Sequence, residues 1–351
     1  MASQSEAPQN LALENPRSDL KLSVPFSPDG TRGALVDGAV RRNTAESLSL
    51  LSDAIGAQRP DLIASLQRWI ANLHSGPVRP ALFALYSDLV EAIFSDDEPA
   101  FQSAMTAISE IEAEASDGVR GITLADGDLG PGMALRFRRH LDDDPNTPLS
   151  IGPISREELR IASDCLTATW NLLDVAAPEL SREIRALVRD VIFVVSEPGT
   201  GGLVFHGAST FYLWGSLFLN ARMHPDRVSM AEGLAHEAAH SLLLGYSFGA
   251  PLVDNDASER FASPLREDPR PMDGIVHATY VLARMHYCIE RLLASQSLNT
   301  AERDRLESAK LRRRSDYLQG LEIVSTRAQF TPVGRALFEG AQTYMAAAGT
   351  P

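Results

Sequence analysis

His236-Glu237-Ala238-Ala239-His240 sets two imidazoles four residues apart. On an α-helix that spacing stacks them on one face, about 6 Å apart along the axis, so both can reach one metal ion. Glu237 lies a little over a quarter-turn from His236, where it can face a metal-bound water or orient a neighbouring ligand. Leu234-Ala235 precede the motif and Ser241-Leu242-Leu243-Leu244 follow it, with Glu237 the single charge in the stretch. The competing reading is a buried helix whose histidines are merely hydrogen-bonded. With only 8 histidines in the chain, metal binding accounts better for the pairing.

Two histidines need a third ligand. A metzincin would carry Gly at position 243 and His at 246, but the residues there are Leu243 and Tyr246, which removes that subclass. A gluzincin takes a glutamate from the next helix, and Glu259 follows His240 after 18 intervening residues, a spacing similar to the aminopeptidase branch. The segment from Asp254 to Ser263 is short and polar with Pro264 behind it, which suits a solvated surface better than a ligand-bearing helix. His277 is the rival, early in a helix reached through a proline-rich turn. Isolated histidines at helix starts are usually structural; a two-histidine site nearby is the reason to favour His277.

Arg266 and Arg270 flank Glu267-Asp268-Pro269 and lie among Pro264, Pro269 and Pro271. Proline fixes φ, so the loop presents its arginines rigidly, and a guanidinium fork matches a carboxylate with two parallel bonds. An internal ion pair with Glu267 or Asp268 is the equally weighted alternative for each arginine singly. One of the two holding a small carboxylate near the metal is the expectation.

The HExxH run together with Ser263-Pro-Leu-Arg-Glu-Asp-Pro-Arg-Pro-Met-Asp-Gly-Ile-Val-His-Ala-Thr-Tyr280 resembles the HExxH-type, α-ketoglutarate-dependent peptide β-hydroxylases associated with ribosomally made peptide natural products. The resemblance covers roughly residues 190–290. It implies iron(II) rather than zinc, with α-ketoglutarate and dioxygen as co-substrates, and hydroxylation of a peptide β-carbon through a ferryl intermediate rather than hydrolysis. Three protein ligands leave three positions open on an octahedral ferrous ion, two for the ketoacid and one for dioxygen. The ligands would be His236, His240 and either His277 or Glu259. Arg266 or Arg270 would hold the distal carboxylate of the ketoacid, and Glu237 would orient rather than act as a base.

The elements that must position these groups are mostly helical. Apolar periodicity and caps predict helices near 45–56, 61–74, 80–95, 98–115, 156–176, 179–190, 228–244, 273–295, 300–325 and 332–347. Val191-Ile-Phe-Val-Val195 reads as a buried strand, with Leu203–His206 and Phe211–Leu219 as further short strands. The fold class is therefore mainly α with a small β-sheet (α+β), the HExxH helix packed in a zincin-like way beside that sheet. Residues 1–43 read as an irregular tail, 44–150 as a helical N-terminal part and 151–351 as the metal-site domain, or 44–351 as one continuous unit. An extended peptide along Thr210–Leu219 could meet Ser209, Thr210, Tyr212 and Trp214, although aromatic residues there could equally pack the core. His206 and His224 are minor catalytic candidates; His74, His140 and His286 read as structural or surface residues. Lys310-Leu-Arg-Arg-Arg314 offers a leader-peptide surface or a solvated face.

Composition narrows the classes. The 351 residues carry 32 Lys and Arg against 46 Asp and Glu, a formal charge of −14 that disfavours gripping a phosphate backbone. No apolar run approaches the ~18 residues of a membrane span, and the start lacks a basic and then apolar secretory pattern. Cys165 and Cys288 form no disulfide framework and read as small buried hydrophobes. A cytoplasmic peptide-modifying enzyme, binding neither nucleic acid nor membrane, is the expectation. A zinc metallopeptidase with Glu237 as general base is the runner-up, and a metal-stabilised peptide-binding protein without catalysis is the third.

Overall fold

The computed structural model describes residues 26–55, 60–110, 116, 118–141, 149–196, 205–248, 251–263 and 268–348. Helices dominate them. In chain order they are α1 (Gly30–Ile55), α2 (Pro60–Ser75), α3 (Pro80–Phe94), α4 (Glu98–Glu110), α5 (Asp126–Leu129) and α6 (Met133–Leu141). There follow α7 (Arg156–Ala176), α8 (Pro178–Leu187), α9 (Arg227–Ser247), α10 (Met272–Ala294), α11 (Thr300–Arg327) and α12 (Pro332–Ala347). Several begin where local chemistry requires it. Ser155 with Glu158, and Asn299 with Glu302, make reciprocal capping boxes at α7 and α11. Proline opens α3, α8 and α12, where its missing N–H is not needed.

Five short strands make one mixed sheet: β1 (Arg120–Thr123), β2 (Ile151–Pro153), β3 (Asp190–Ser196), β4 (Gly207–Ala208) and β5 (Ser216–Asn220). Val191 to Val194 of β3 are fully buried, the continuous apolar run demanded of a central strand covered on both faces. β5 lies parallel on one side of β3, with Asp190 opposite Ser216. On the other side β1 runs parallel, with Arg120 opposite Asp190, and β2 then pairs antiparallel with Val194–Ser196. β4 pairs antiparallel with β5 and forms the outer edge of that side.

The mainly helical class with a small sheet stands, and several boundaries move. Helix α1 begins at Gly30, not near 45, so residues 30–43 are not irregular tail. Gly33 hides the periodicity because it is a contact point: a Cβ there would sit 3.0 Å from the Ala186 Cβ on α8. The division drawn between residues 150 and 151 does not separate two units: β1 lies before it and β2 after it, and both pair with β3 in one sheet. The expected strand Thr210–Leu219 is broken. The Thr210 side chain caps a 3-10 turn at Phe211–Leu213, Gly215 takes a left-handed φ of +89°, and only then does β5 start. Leu203 and Val204 of another expected strand lie outside the described residues, and Phe205-His206 is irregular. No helix among the described residues is long and apolar enough to cross a membrane.

Candidate metal centre

Helix α9 is capped by Asp226, whose carboxylate accepts from the Val228 and Ser229 amides at 3.2 and 3.1 Å. It then runs through the core between α10, α7, α1 and the sheet. From Met230 to Leu243 every residue is buried except His236 and His240. Helix α10 shows the same pattern: from Ile275 to His286 only His277 escapes full burial. The two helices bring these openings together. The Nδ1 atoms of His240 and His277 are 3.4 Å apart, and their rings stack with centroids at 5.7 Å. The His236 and His240 centroids lie 5.0 Å apart.

Two ligand nitrogens sharing one ion through bonds of about 2.1 Å stand about 3.0–3.4 Å apart, from an octahedral to a tetrahedral angle. The His240–His277 pair already has that separation. His236 faces elsewhere, its Nδ1 3.2 Å from the Met285 sulfur. Among the described residues no group of three or more His, Cys, Asp or Glu side chains is placed to hold a metal ion. A quarter of the His236 side chain is exposed (26%). The donor chemistry, three imidazoles on two rigid helices, fits a borderline divalent ion.

Glu237 is held from above by the sheet. The Ser209 hydroxyl donates to its Oε2 at 3.1 Å, and its Oε1 lies 3.8 Å from His236 Nε2. A Cβ at Gly207 on β4 would fall 2.6 Å from Oε1, so the strand can lie this close only because residue 207 has no side chain. The carboxylate is therefore wedged between the edge strand and the helix. Burial pushes the His277 imidazole below the usual histidine range, and Asp273, 3.7 Å from its Nε2, pulls the other way. A neutral ring is the form a metal takes.

The structure separates the candidates for third ligand. Glu259 sits exposed on a turn, its amide bonded to the Asp256 carbonyl at 3.1 Å, and no helix forms there. His277, by contrast, touches His240. Arg270 pairs its backbone with Phe261 at 2.8 and 2.9 Å, and its Nε lies 2.7 Å from Asp268, the internal ion pair weighed from the sequence. Arg266 lies outside the described residues.

Trp214 belongs to the core rather than a cleft, since its indole N–H donates to Asp37 at 3.1 Å, whereas Tyr212 is half exposed. His224 is a packing residue, bonded to the Ser229 carbonyl at 3.1 Å, with its pKa lowered by burial. His206 and His74 are exposed, while His140 and His286 are buried against Asp88 and Tyr344. Much of the basic run on α11 is paired: Lys310 with Glu290 at 2.8 Å, Arg313 with Glu232 at 3.6 Å. Both cysteines are free thiols. Sequence reasoning missed Met285 beside His236 and the bond from Ser209 to Glu237; each is a long-range pairing with no local pattern to announce it. Compared with known proteins, the chain matches no family model and no curated protein.

Proposed function

We propose that this chain is an iron(II)- and α-ketoglutarate-dependent oxygenase that hydroxylates a β-carbon in a ribosomally made peptide, on a zincin-like scaffold. The observation that carries the reading is the contact of His240 with His277, with His236 one turn away on α9, at the only openings in two otherwise buried helical stretches. The resemblance of Ser263–Tyr280 to peptide hydroxylases supplies the choice of metal. Ferrous iron held there, with α-ketoglutarate and dioxygen, supplies oxidative C–H hydroxylation with release of succinate and carbon dioxide.

The chain's own groups have separable tasks. The three imidazoles hold the ion and leave its remaining positions to the co-substrates. Arg270, at the entrance to α10, offers its guanidinium to the distal carboxylate by exchanging its Asp268 partner. The buried walls around the histidines exclude bulk water from the reacting centre. Glu237, fixed by Ser209 under β4, orients the His236 side of the site. The outer edge of β4 is a place for an extended peptide to pair.

A zinc peptidase is the second reading, favoured by the 3.8 Å approach of Glu237 to His236 Nε2, where a general base would stand. Against it, a base must swing onto a metal-bound water, and this carboxylate is hydrogen-bonded and crowded at Gly207. Anaerobic loading with ferrous iron followed by α-ketoglutarate tests the proposal through the visible spectrum. A metal-to-ligand charge-transfer band that disappears in His236→Ala is the expected result. Iron bound at the histidines with no such band would overturn the oxygenase and leave zinc-dependent hydrolysis.

A further inference from the structure

A second place in the molecule has the make-up of a binding site and is independent of the histidine cluster. Where β1 and β3 begin, a cavity of about 360 Å³ opens between α1, the C-terminal end of α8 and the loop before β1. That volume is in the range of small-ligand sites. Its wall carries three guanidiniums, from Arg41, Arg185 and Arg189, against one carboxylate, that of Asp37. In a chain with a net charge of −14, this is a local reversal of sign.

The hydrogen bonds leave donors over. Arg189 is almost wholly buried; Nη1 and Nη2 close the α8 terminus on the carbonyls of Arg185, Ala186 and Val188, and Nη2 stands 3.5 Å from Asp37, yet its buried Nε has no acceptor among the described residues. Arg41 spends Nε on Asp37 at 2.9 Å and Nη1 on the Leu73 carbonyl, and no described acceptor meets its Nη2. Arg185 uses Nε and Nη2 on Ser181 and Asp174 and leaves Nη1 over. Of these only the Arg189 Nε is buried, and a buried cation donor without an acceptor is costly; an oxyanion would supply it and the two more open donors with lone pairs at once.

We propose that this cavity binds a small multivalent oxyanion, a phosphate or a di- or tricarboxylate. Two tryptophans are wired to it. Arg185 lies over the Trp170 ring at 4.1 Å, and Asp37 accepts the Trp214 indole N–H at 3.1 Å.

The test uses the full chain stripped of metal with chelator and then dialysed, so that the histidine site contributes nothing. Inorganic phosphate and citrate are titrated separately at constant ionic strength, with calorimetry for affinity and tryptophan fluorescence for location. At least one probe is expected to saturate, and which one does so distinguishes phosphate from carboxylate. Arg185→Gln, at a partly exposed position, should weaken binding about tenfold. Ala34→Leu, which fills the cavity from the exposed side of α1, should abolish it while leaving thermal unfolding unchanged. No saturable binding of either probe, or binding that both variants leave intact, would overturn the proposal.

Discussion

Helix α10 carries His277 and Arg284 seven residues apart, about 10 Å along one face, and the two residues end in opposite kinds of polar cluster. Arg284 and Arg32 close on the two oxygens of Glu183, which also takes the Asp29 amide at 2.9 Å, and all three side chains are nearly or wholly buried. Burial beside Arg32 lowers the Arg284 guanidinium to about 9. His277 meets His240 instead, ring against ring, with a partial opening to solvent. A polar cluster whose charges answer one another belongs to the scaffold. The histidine cluster is of another kind: its rings face one another, and the nearest carboxylates, Glu237 and Asp273, stand 3.8 and 3.7 Å from His236 and His277 rather than in direct hydrogen-bond contact.

Breaking the closed cluster should have the largest effect. Glu183→Ala leaves two buried guanidiniums facing each other, a loss of about 3–5 kcal/mol. Against a typical domain stability of about 5–15 kcal/mol, the variant should lose most of its folded population in mild urea. If it unfolds at the wild-type urea concentration, the division between scaffold and site is wrong.

The open cluster should respond in the opposite sense. His240→Ala and His277→Ala are expected to stay within about 1 kcal/mol of wild type without metal, since both rings lie at partly open positions. Both should lose metal affinity by about 100-fold or more, measured by competition with a chromophoric chelator. Glu259→Ala, on its exposed turn, should bind metal as the wild type does. A loss in Glu259→Ala with retention in His277→Ala would exchange the third ligand.

The 3.6-residue period makes the candidate pair legible in the sequence, because it turns His236 and His240 into neighbours by arithmetic. His277 was reachable for a different reason: few histidines are available and it opens the next long helix. The parts that were not legible depend on contacts distant in sequence. Helix α1 was hidden because Gly33 and Arg32 break its apolar stripe, and both are explained only by α8, through the Ala186 contact and Glu183. Strands β1 and β2 were hidden because Arg120-Gly-Ile-Thr123 and Ile151-Gly-Pro153 are too short, and too rich in glycine and proline, to show alternation. Their partner β3 was plain because a fully buried strand is apolar throughout. The Glu237 cage needs Ser209 and Gly207, whose relation to the helix exists only after β4 has paired with β5.

Gly207 gives an intermediate test, because it joins sheet and site. Gly207→Ala places a methyl 2.6 Å from Glu237 Oε1 and 3.0 Å from the Phe218 carbonyl. Overpacking of this kind costs about 1–3 kcal/mol, and it should also displace the carboxylate. Adding Glu237→Ala removes one of the two clashing atoms, so the double variant should recover part of the loss, with a coupling of about 1 kcal/mol in urea unfolding. Additive losses would mean that the carboxylate moves aside freely, and the case against a mobile general base would weaken.

The smallest effect expected concerns pH, and it compares His286 with the site histidine on the same helix. His286 is wholly buried, bonded to the Tyr344 hydroxyl at 2.9 Å, and burial lowers its pKa to about 4, with Lys310 and Arg314 adding to the fall and Glu290 opposing it. In the unfolded chain a histidine titrates near 6.5. The folded state therefore refuses a proton that the unfolded chain accepts, so this contribution is fully present above about pH 6.5 and is lost as pH falls towards about 4. The slope should be about 1 kcal/mol per pH unit for one such group. His277, lowered in the same direction, adds to it in metal-free protein. Urea unfolding between about pH 7 and pH 5 should thus show a falling stability, shallower in His286→Gln and shallower again when His277→Ala is added. A slope unchanged by either substitution would place the titrating groups elsewhere and would leave the two histidines distinguished by geometry alone.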